Sequence, residues 1–378
     1  MVYFDQAATS YPKPDRVIRA VSEALLQGGN PGHGGHRLAM EGAERLYRAR
    51  ETAAHFFKAE PEQVVFTPSC TVALNMAIKG IMAGGGHLLI SDSDHNASLR
   101  PASALVRAGK CRAEAFLVVE GNPEKTLSGL RAKIRPDTRA VVCTHASNVT
   151  GNVLPVEGIR ALCKEKGILF ILDAAQTAGL LPVRAEMADV LCIPGHKGLL
   201  GPMGTGMMIV GKGIFLPTIL EGGTGTASLE PGMPEESPER FEPGTVNFPG
   251  IMGLAAGIEE VEKRGMEAVY AHELETAALF YRGAREIPGV RLHSLPPVYG
   301  KSVPTVSFTI GDAGSAETSE RLSQEGFMLR GGYHCAGLIH RRLKTERTGT
   351  VRFSCGAGTG KREVLRFLEI VQKIAREG

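Results

Sequence analysis

Lys197 and Asp173 are the residues whose types and spacing point most directly to chemistry. Lys197 closes the run Ala188-Asp189-Val190-Leu191-Cys192-Ile193-Pro194-Gly195-His196-Lys197, which reads as a short buried strand that turns at Pro-Gly and presents a His-Lys pair. Upstream, the apolar run Ile168-Leu169-Phe170-Ile171-Leu172 ends in Asp173-Ala174-Ala175-Gln176. An acid at the carboxyl end of one strand and a lysine after another is the pairing that pyridoxal 5′-phosphate (PLP) requires. The lysine would form a Schiff base with the aldehyde, and the acid would keep the ring nitrogen protonated so that the ring acts as an electron sink.

Other residues fall at comparable places. In Phe66-Thr67-Pro68-Ser69-Cys70-Thr71 an apolar run turns into a helix start, where Ser69 or Thr71 can cap and free N–H groups favour a phosphate. His95 follows the run His87 to Ser91, where a ring could stack on a pyridine face or stand as an ordinary loop histidine. Asn148, in Ser147-Asn148-Val149-Thr150-Gly151, follows another apolar run, where a turn-forming Asn is equally at home.

Elements that would position these residues alternate along the chain. Strand-like runs are Gln63 to Thr67, His87 to Ser91, Ala115 to Val119, Ala140 to Thr144, Ile168 to Leu172, Val190 to Ile193 and Thr205 to Val210. Helix-period stretches lie between them at Thr71 to Ile81, Pro123 to Ile134 and Pro155 to Lys166. This alternation predicts an α/β layer fold with a mostly parallel sheet flanked by helices and ligands at the carboxyl ends of its strands. Residues 222–244, rich in Gly, Pro, Glu and Ser, read as a long loop. A helical pattern follows from Met252 to Arg285. The remainder mixes strands (Thr305 to Ile310, Thr350 to Ser354) with helices (Ser315 to Gln324, Lys361 to Arg376), as a smaller α+β domain would. The expected division is a large cofactor-binding domain over 15–250 and a small domain over 251–378, joined by residues 1–14.

Composition narrows the function classes. The 378 residues are 43% hydrophobic and 22% charged, an ordinary globular balance with length enough for two cores. A net charge of +3 gives no reason to expect nucleic acid or an acidic membrane surface as partner. No apolar run approaches a membrane span, and the opening residues lack a basic and apolar leader pattern. The seven cysteines show no CxxC spacing, which predicts a reducing, cytoplasmic setting without disulfides or zinc. Cys143, Cys163 and Cys192 sit in apolar stretches as packing residues. His33 and His36 have no third ligand nearby, so no metal is expected. The Gly-rich run Gly201 to Gly206 leads into a strand rather than a helix, unlike a dinucleotide fingerprint.

In order and spacing these residues resemble the class V aminotransferase family of fold-type I PLP enzymes, and within it the cysteine desulfurase and selenocysteine lyase branch. The resemblance runs from Asp5-Gln6-Ala7-Ala8-Thr9 through Asn30-Pro31-Gly32-His33-Gly34-Gly35-His36 and Glu242-Pro243-Gly244-Thr245-Val246-Asn247 to Val351-Arg352-Phe353-Ser354. It implies that Lys197 is the Schiff-base lysine and proton carrier, that Asp173 pairs with the ring nitrogen, and that Gln176 bonds the ring hydroxyl. It implies further that His95 stacks on the ring and that Thr71, the Cys70 backbone beside it and His196 hold the phosphate. Asn148 would lie beside the ring hydroxyl and the substrate carboxylate, which Arg352 clamps, with Arg330 as a further substrate-binding residue. Thr245 would reach the phosphate of a neighbouring subunit in a homodimer. Two places depart from the family pattern: Pro194 replaces a common Ser, and Ser354-Cys355-Gly356-Ala357-Gly358-Thr359 replaces a common Asn-Thr pair.

Leu329-Arg330-Gly331-Gly332-Tyr333-His334-Cys335-Ala336 resembles the cysteine-bearing run of desulfurases with a short active-site loop. That implies attack of Cys335 on substrate sulfur, release of alanine and a persulfide for an acceptor protein. A thiolate near Arg330 and a cationic His334 would be a competent nucleophile. The expected activity is therefore conversion of L-cysteine to L-alanine, with L-selenocysteine as a second candidate substrate. Two alternatives stand beside it. One is another class V enzyme (aminotransferase, epimerase or β-eliminating lyase) on a small amino acid. The other is a PLP-binding sulfur-relay scaffold with little catalysis.

Overall fold

A computed structural model describes residues 1–31, 34–226 and 228–377. Its strands are β1 (Val2–Tyr3), β2 (Val64–Thr67), β3 (His87–Ser91), β4 (Arg112–Phe116), β5 (Thr138–Thr144), β6 (Leu169–Asp173) and β7 (Val190–Pro194). They continue as β8 (Gly206–Val210), β9 (Val290–Leu292), β10 (Thr305–Ile310), β11 (Phe327–Met328), β12 (Arg330–Gly332) and β13 (Thr350–Ser354). The helices are α1 (Asp15–Gln27), α2 (Arg37–Phe57), α3 (Cys70–Ile81), α4 (Asn96–Arg107), α5 (Pro123–Lys133) and α6 (Val156–Lys166). After them come α7 (Phe248–Arg264), α8 (Met266–Arg285), α9 (Ser315–Gln324), α10 (Gly337–Leu343) and α11 (Lys361–Glu377).

The strands expected to be buried form one sheet in the order β2-β8-β7-β6-β5-β3-β4. Only β8 runs antiparallel to its neighbours, so β2, β3, β5, β6 and β7 all end at the same edge. Both faces of the sheet are covered. Val141, Cys143, Phe170 and Leu172 join a cluster with residues of α2, α5, α6 and α7, while Ala140, Val142 and Ile171 join one with α3 and α4. Coverage on both sides is why these strands read as unbroken apolar runs instead of alternating ones. The edge strand β4 differs: its burial fades toward Arg112, and it lies three residues before the expected run Ala115 to Val119. Its exposed polar half hid its start.

The C-terminal part is a four-stranded antiparallel sheet, β12-β13-β10-β9, packed on α8 and α11 around Phe280, Phe308, Phe353 and Phe367. In the N-terminal segment, Ala7, Thr9, Ser10 and Lys13 bond to Gln176 and His196 of the large body, while the first residues pack on this small one. Val2 pairs with Phe327, Asp5 bridges Ser354, and the fully buried Phe4 stacks among its aromatics.

The continuous helical pattern from Met252 to Arg285 is two helices, α7 and α8, broken at Gly265. Gly265 has φ 77°, a left-handed conformation that glycine adopts without the Cβ penalty. The expected division at residue 251 therefore falls inside α7. The buried face of α7, including Ile251, Leu254 and Ile258, packs in the large body, against a core that also takes Ala24 of α1 and Ala53 of α2. We place the boundary at Gly265 instead. Residues 222–244 contain no helix or strand beyond the single short turn Glu239–Phe241 among the described residues, as the loop reading expected.

Candidate active site

Five strand ends place the predicted residues along one edge. After β2, Ser69 rather than Thr71 caps α3, accepting from the Val72 N–H at 3.3 Å. This leaves Thr71 exposed in the first turn. The N–H groups of Cys70 and Thr71 precede the first intrahelical bond. Gly206 lets this helix start approach β8: a Cβ there would lie 2.8 Å from the Cys70 nitrogen. The result is a backbone anion cradle of the kind a phosphate ester fills.

After β3, His95 is not a loop histidine but the N-cap of α4, with Nδ1 accepting from the Ala97 N–H at 3.0 Å. Burial, assisted by the charges of Lys197, Arg330 and Arg352, lowers its pKa to about 4. The ring is therefore neutral near pH 7 with its proton on Nε2, a flat aromatic surface without charge. After β5, Asn148 is buried, and its Nδ2 donates to the His334 carbonyl at 2.8 Å.

Asp173 ends β6 and is 2% exposed. Burial raises its pKa, opposed by the Ala175 N–H bonded at 2.9 Å, by Lys197 and by the Cys70 thiol at 3.5 Å. The Cys70 side chain thus touches Asp173, a contact its sequence position did not suggest. Beyond Asp173, Gln176 Nε2 donates to the Ala7 carbonyl at 3.3 Å, which ties the N-terminal segment to the site.

Lys197 follows β7. Burial lowers its pKa first and Arg352 pushes the same way, while Asp173 opposes. A lysine so treated carries a more available amine than one in water. The carbonyl of His196 is held by the Ser10 N–H at 3.0 Å and by Lys13 Nζ at 2.9 Å. Its Nδ1 is buried without a partner among the described residues.

The small body supplies the rest. Arg352, on β13, is 1% exposed; Nη2 donates to Asp5 at 2.8 Å and Nη1 to the Asn148 carbonyl at 3.1 Å. Its Nε has no partner among the described residues. Arg330 pairs in register with Arg352 across β12 and β13, and its Nη2 lies 3.7 Å from Cys335 Sγ. Cys335 and the preceding His334 both take left-handed conformations, φ 55° and 49°. This costs roughly 1–2 kcal/mol at each non-glycine residue. Hydrogen bonds offset it: Asn148 holds the His334 carbonyl, and the Asn96 N–H donates to the Cys335 carbonyl at 2.7 Å.

One expectation is corrected here. His334 is not cationic: burial and the nearby Arg352 take its pKa down to about 2, and its Nε2–H donates to the Thr350 carbonyl at 3.0 Å. The charged side chain in contact with Cys335 Sγ is that of Arg330, not an imidazolium.

Thr245 is exposed after the long loop, and among the described residues its side chain makes no hydrogen bond to this cluster. Of the two histidines considered for metal, His36 caps α2 by accepting from the Ala39 N–H at 3.3 Å, and His33 lies outside the described residues. Cys143, Cys163 and Cys192 are fully buried. Asp5, Asn96 and Asp94 were not singled out from sequence. Asp94 is buried beside His95, with its pKa raised to about 7 mainly by burial.

A cavity of about 480 Å³ adjoins this cluster on the side of the N-terminal segment. Lys197, Gln176, Lys13 and Glu273 border it together with Ser354 to Thr359, the stretch that departs from the family pattern. Asp173, His95, Arg352 and Cys335 do not line it.

A lysine and a buried carboxylate at adjacent strand ends, beside a helix start and a neutral ring, on a mostly parallel sheet with a smaller α+β body, define a fold-type I arrangement. Residues 2–367 match the aminotransferase class-V family, and the chain belongs to that family. It is 32% identical over 394 residues to a probable cysteine desulfurase of Pyrococcus abyssi, covering 100% of this chain and 94% of that protein. It is 33% identical over 393 residues to a probable cysteine desulfurase of Aeropyrum pernix, covering 99% and 94%. The solved structure of a cysteine desulfurase from Thermococcus onnurineus NA1 superposes with a TM-score of 0.91 at 29% identity, covering 100% of this chain and 95% of that one.

Proposed function

We propose that this chain is a PLP-dependent cysteine desulfurase that converts L-cysteine to L-alanine and carries the sulfur as a persulfide on Cys335. The observation that carries the reading is the placement of Cys335. Its loop is hydrogen-bonded to Asn148 and Asn96, at the sheet edge that also carries Lys197 and Asp173.

The residues present fit the cofactor. Asp173 is a buried carboxylate suited to a ring nitrogen, the start of α3 and the unpartnered His196 Nδ1 suit a phosphate, and the neutral His95 suits stacking. Lys197 would bind it covalently. Once bound, PLP supplies an electron sink for the bonds at the substrate Cα. The chain supplies everything else. Arg352, already fixed by Asp5 and Asn148, presents a planar guanidinium to the substrate carboxylate. Lys197, with its lowered pKa, takes and returns the proton at Cα. Cys335 Sγ then forms a bond to the substrate sulfur as that sulfur's bond to Cβ breaks. The electron pair goes to the carbon skeleton, a proton follows, and alanine leaves. The sum is cysteine plus thiol to alanine plus persulfide, with no outside oxidant.

Relatives named cysteine desulfurase across the full length of the chain support this reading. The decisive assay incubates purified, PLP-loaded protein with L-cysteine and a thiol. Alanine and sulfide in equal amounts are expected. Pyruvate in place of alanine would make the chain a β-eliminating lyase, and no turnover would leave a scaffold.

We also propose a homodimer, with the exposed Thr245 contributed to the neighbouring subunit's phosphate cradle. Leu229, almost fully exposed within the loop that precedes Thr245, supports a second copy on this loop region. Sedimentation should give twice the 40.3 kDa chain mass.

A further inference from the structure

Cys335 lies between two anchors of unequal kind. Upstream, β12 is hydrogen-bonded into the small sheet. Downstream, α10 has only seven residues and would be marginal by itself. Its penultimate residue, Arg342, crosses to the large body. Its Nε lies 2.9 Å from Asp92 Oδ2, and its Nη2 lies 3.1 Å from Glu120 Oε1 and 3.3 Å from Ser93 Oγ.

The receiving groups are themselves fixed. Asp92 Oδ1 accepts from the Val118 N–H at 3.1 Å, and Glu120 Oε1 from Thr150 Oγ1 at 2.8 Å. Both carboxylates are close to nine-tenths buried, and the Arg342 side chain is 22% exposed. The contact with Asp92 is an ion pair, since Arg342 Nε makes no hydrogen bond among the described residues, while Nη2 donates to Glu120 and Ser93; the cation is thus clasped between two fixed anions.

Asp92 follows β3, three residues before His95. The clasp therefore fixes α10 to the same strand end that presents the ring. The left-handed pair His334–Cys335 lies between this clasp and β12, so its strain cannot relax while both ends are held.

We propose that Arg342 is a positioning residue for the thiol: by clasping Asp92 and Glu120 it holds the Cys335 loop in one strained conformation across the two bodies. This rests on Cys335 being the sulfur acceptor, but the clasp can be tested without turnover.

The test compares holoenzymes of wild type, Arg342→Met, Arg342→Lys and Glu120→Gln. Amide hydrogen exchange over residues 333–343 should rise about tenfold or more in Arg342→Met, with exchange over 169–176 unchanged. Glu120→Gln should give a smaller rise, and Arg342→Lys an intermediate one. Formation of alanine should fall roughly tenfold in kcat with KM for cysteine little changed, as displacement of a reacting group predicts. Wild-type exchange over 333–343 in Arg342→Met overturns the clasp, whatever the activity. Loosened exchange with wild-type kcat overturns the positioning role. If Arg342→Met does not fold, Glu120→Gln decides by the same two readouts. A protein without desulfurase activity would still report the clasp through exchange, so the two failures stay distinguishable.

Discussion

Arg352 Nη1 donates to the main-chain carbonyl of Asn148 at 3.1 Å, joining a fully buried guanidinium of the small body to the sheet edge of the large one. With Asp5 on Nη2, the group is oriented before any ligand arrives. Arg352→Lys keeps a charge but loses the planar fork. KM for cysteine should rise on the order of 10- to 100-fold, the worth of a hydrogen bond to a charged group. An unchanged KM in steady-state alanine assays would remove Arg352 from substrate binding.

Asp5→Asn leaves Arg352 without its anion. Asp5 is 20% exposed in its side chain and Arg352 1%, so the pair lies between the surface and buried cases. A stability loss of about 2 kcal/mol is expected in urea unfolding. A loss below the error of the measurement would show that the Asn148 carbonyl suffices.

Lys197→Ala should abolish turnover and prevent borohydride from fixing the cofactor to the chain, because on the proposed reading both the attachment point and the proton carrier are removed. Mass spectrometry of the borohydride-treated wild type should find the added mass on Lys197. The added mass on another lysine would move the site.

Cys335→Ala should bind cofactor and cysteine with Lys197, Asp173 and Arg352 intact, yet form neither alanine nor persulfide. Selenocysteine should tolerate the change better, since the weaker C–Se bond needs less help. Alanine formed from cysteine at the wild-type rate would exclude the persulfide route.

Burial raises the carboxyl of Glu273 to about 8 from an ordinary 4.5. The folded chain thus keeps a proton that the unfolded chain releases, and this group's contribution to stability falls as pH rises from about 4.5 to 8. Glu273→Gln removes that slope. Its Tm relative to wild type should climb between pH 5 and 8.5, and a constant difference would refute the assignment. His95, His145, His196 and His293 act with the opposite sign. Each is lowered to about 4 from 6.5, so their contribution is lost as pH falls through that window.

The sheet was legible because both its faces are buried, which turns strands such as β5 and β6 into unbroken apolar runs. The same strands carry Asp173 and lead to Asn148 and Lys197, so that half of the site came with them. The buried face of α2 is largely alanine and glycine, Ala39, Gly42, Ala49, Ala53 and Ala54, which leaves little apolar period to read. The pattern Val17, Val21, Ala24 in α1 was available and would have revealed that helix. A single glycine within an apolar period gave no sign that α7 and α8 part at Gly265. Asp5, Asn96 and Arg342 act through partners far away in the chain, and no local spacing announces such pairs. The charge on His334 was misjudged because burial, not its neighbours in sequence, sets it.

Val2 meets Phe327 and Asp5 meets Arg352, and this has a consequence for the order of assembly. At roughly 5–20 residues per second of synthesis, the N-terminal residues wait tens of seconds for their partners. The strands ending at Asp173 and Lys197 emerge long before β13. A nascent chain therefore holds Asp173 and Lys197 at their strand ends while Phe4 is still exposed and without a core. That interval of unpaired apolar surface is where chaperone binding or aggregation would compete with formation of the Asp5–Arg352 pair.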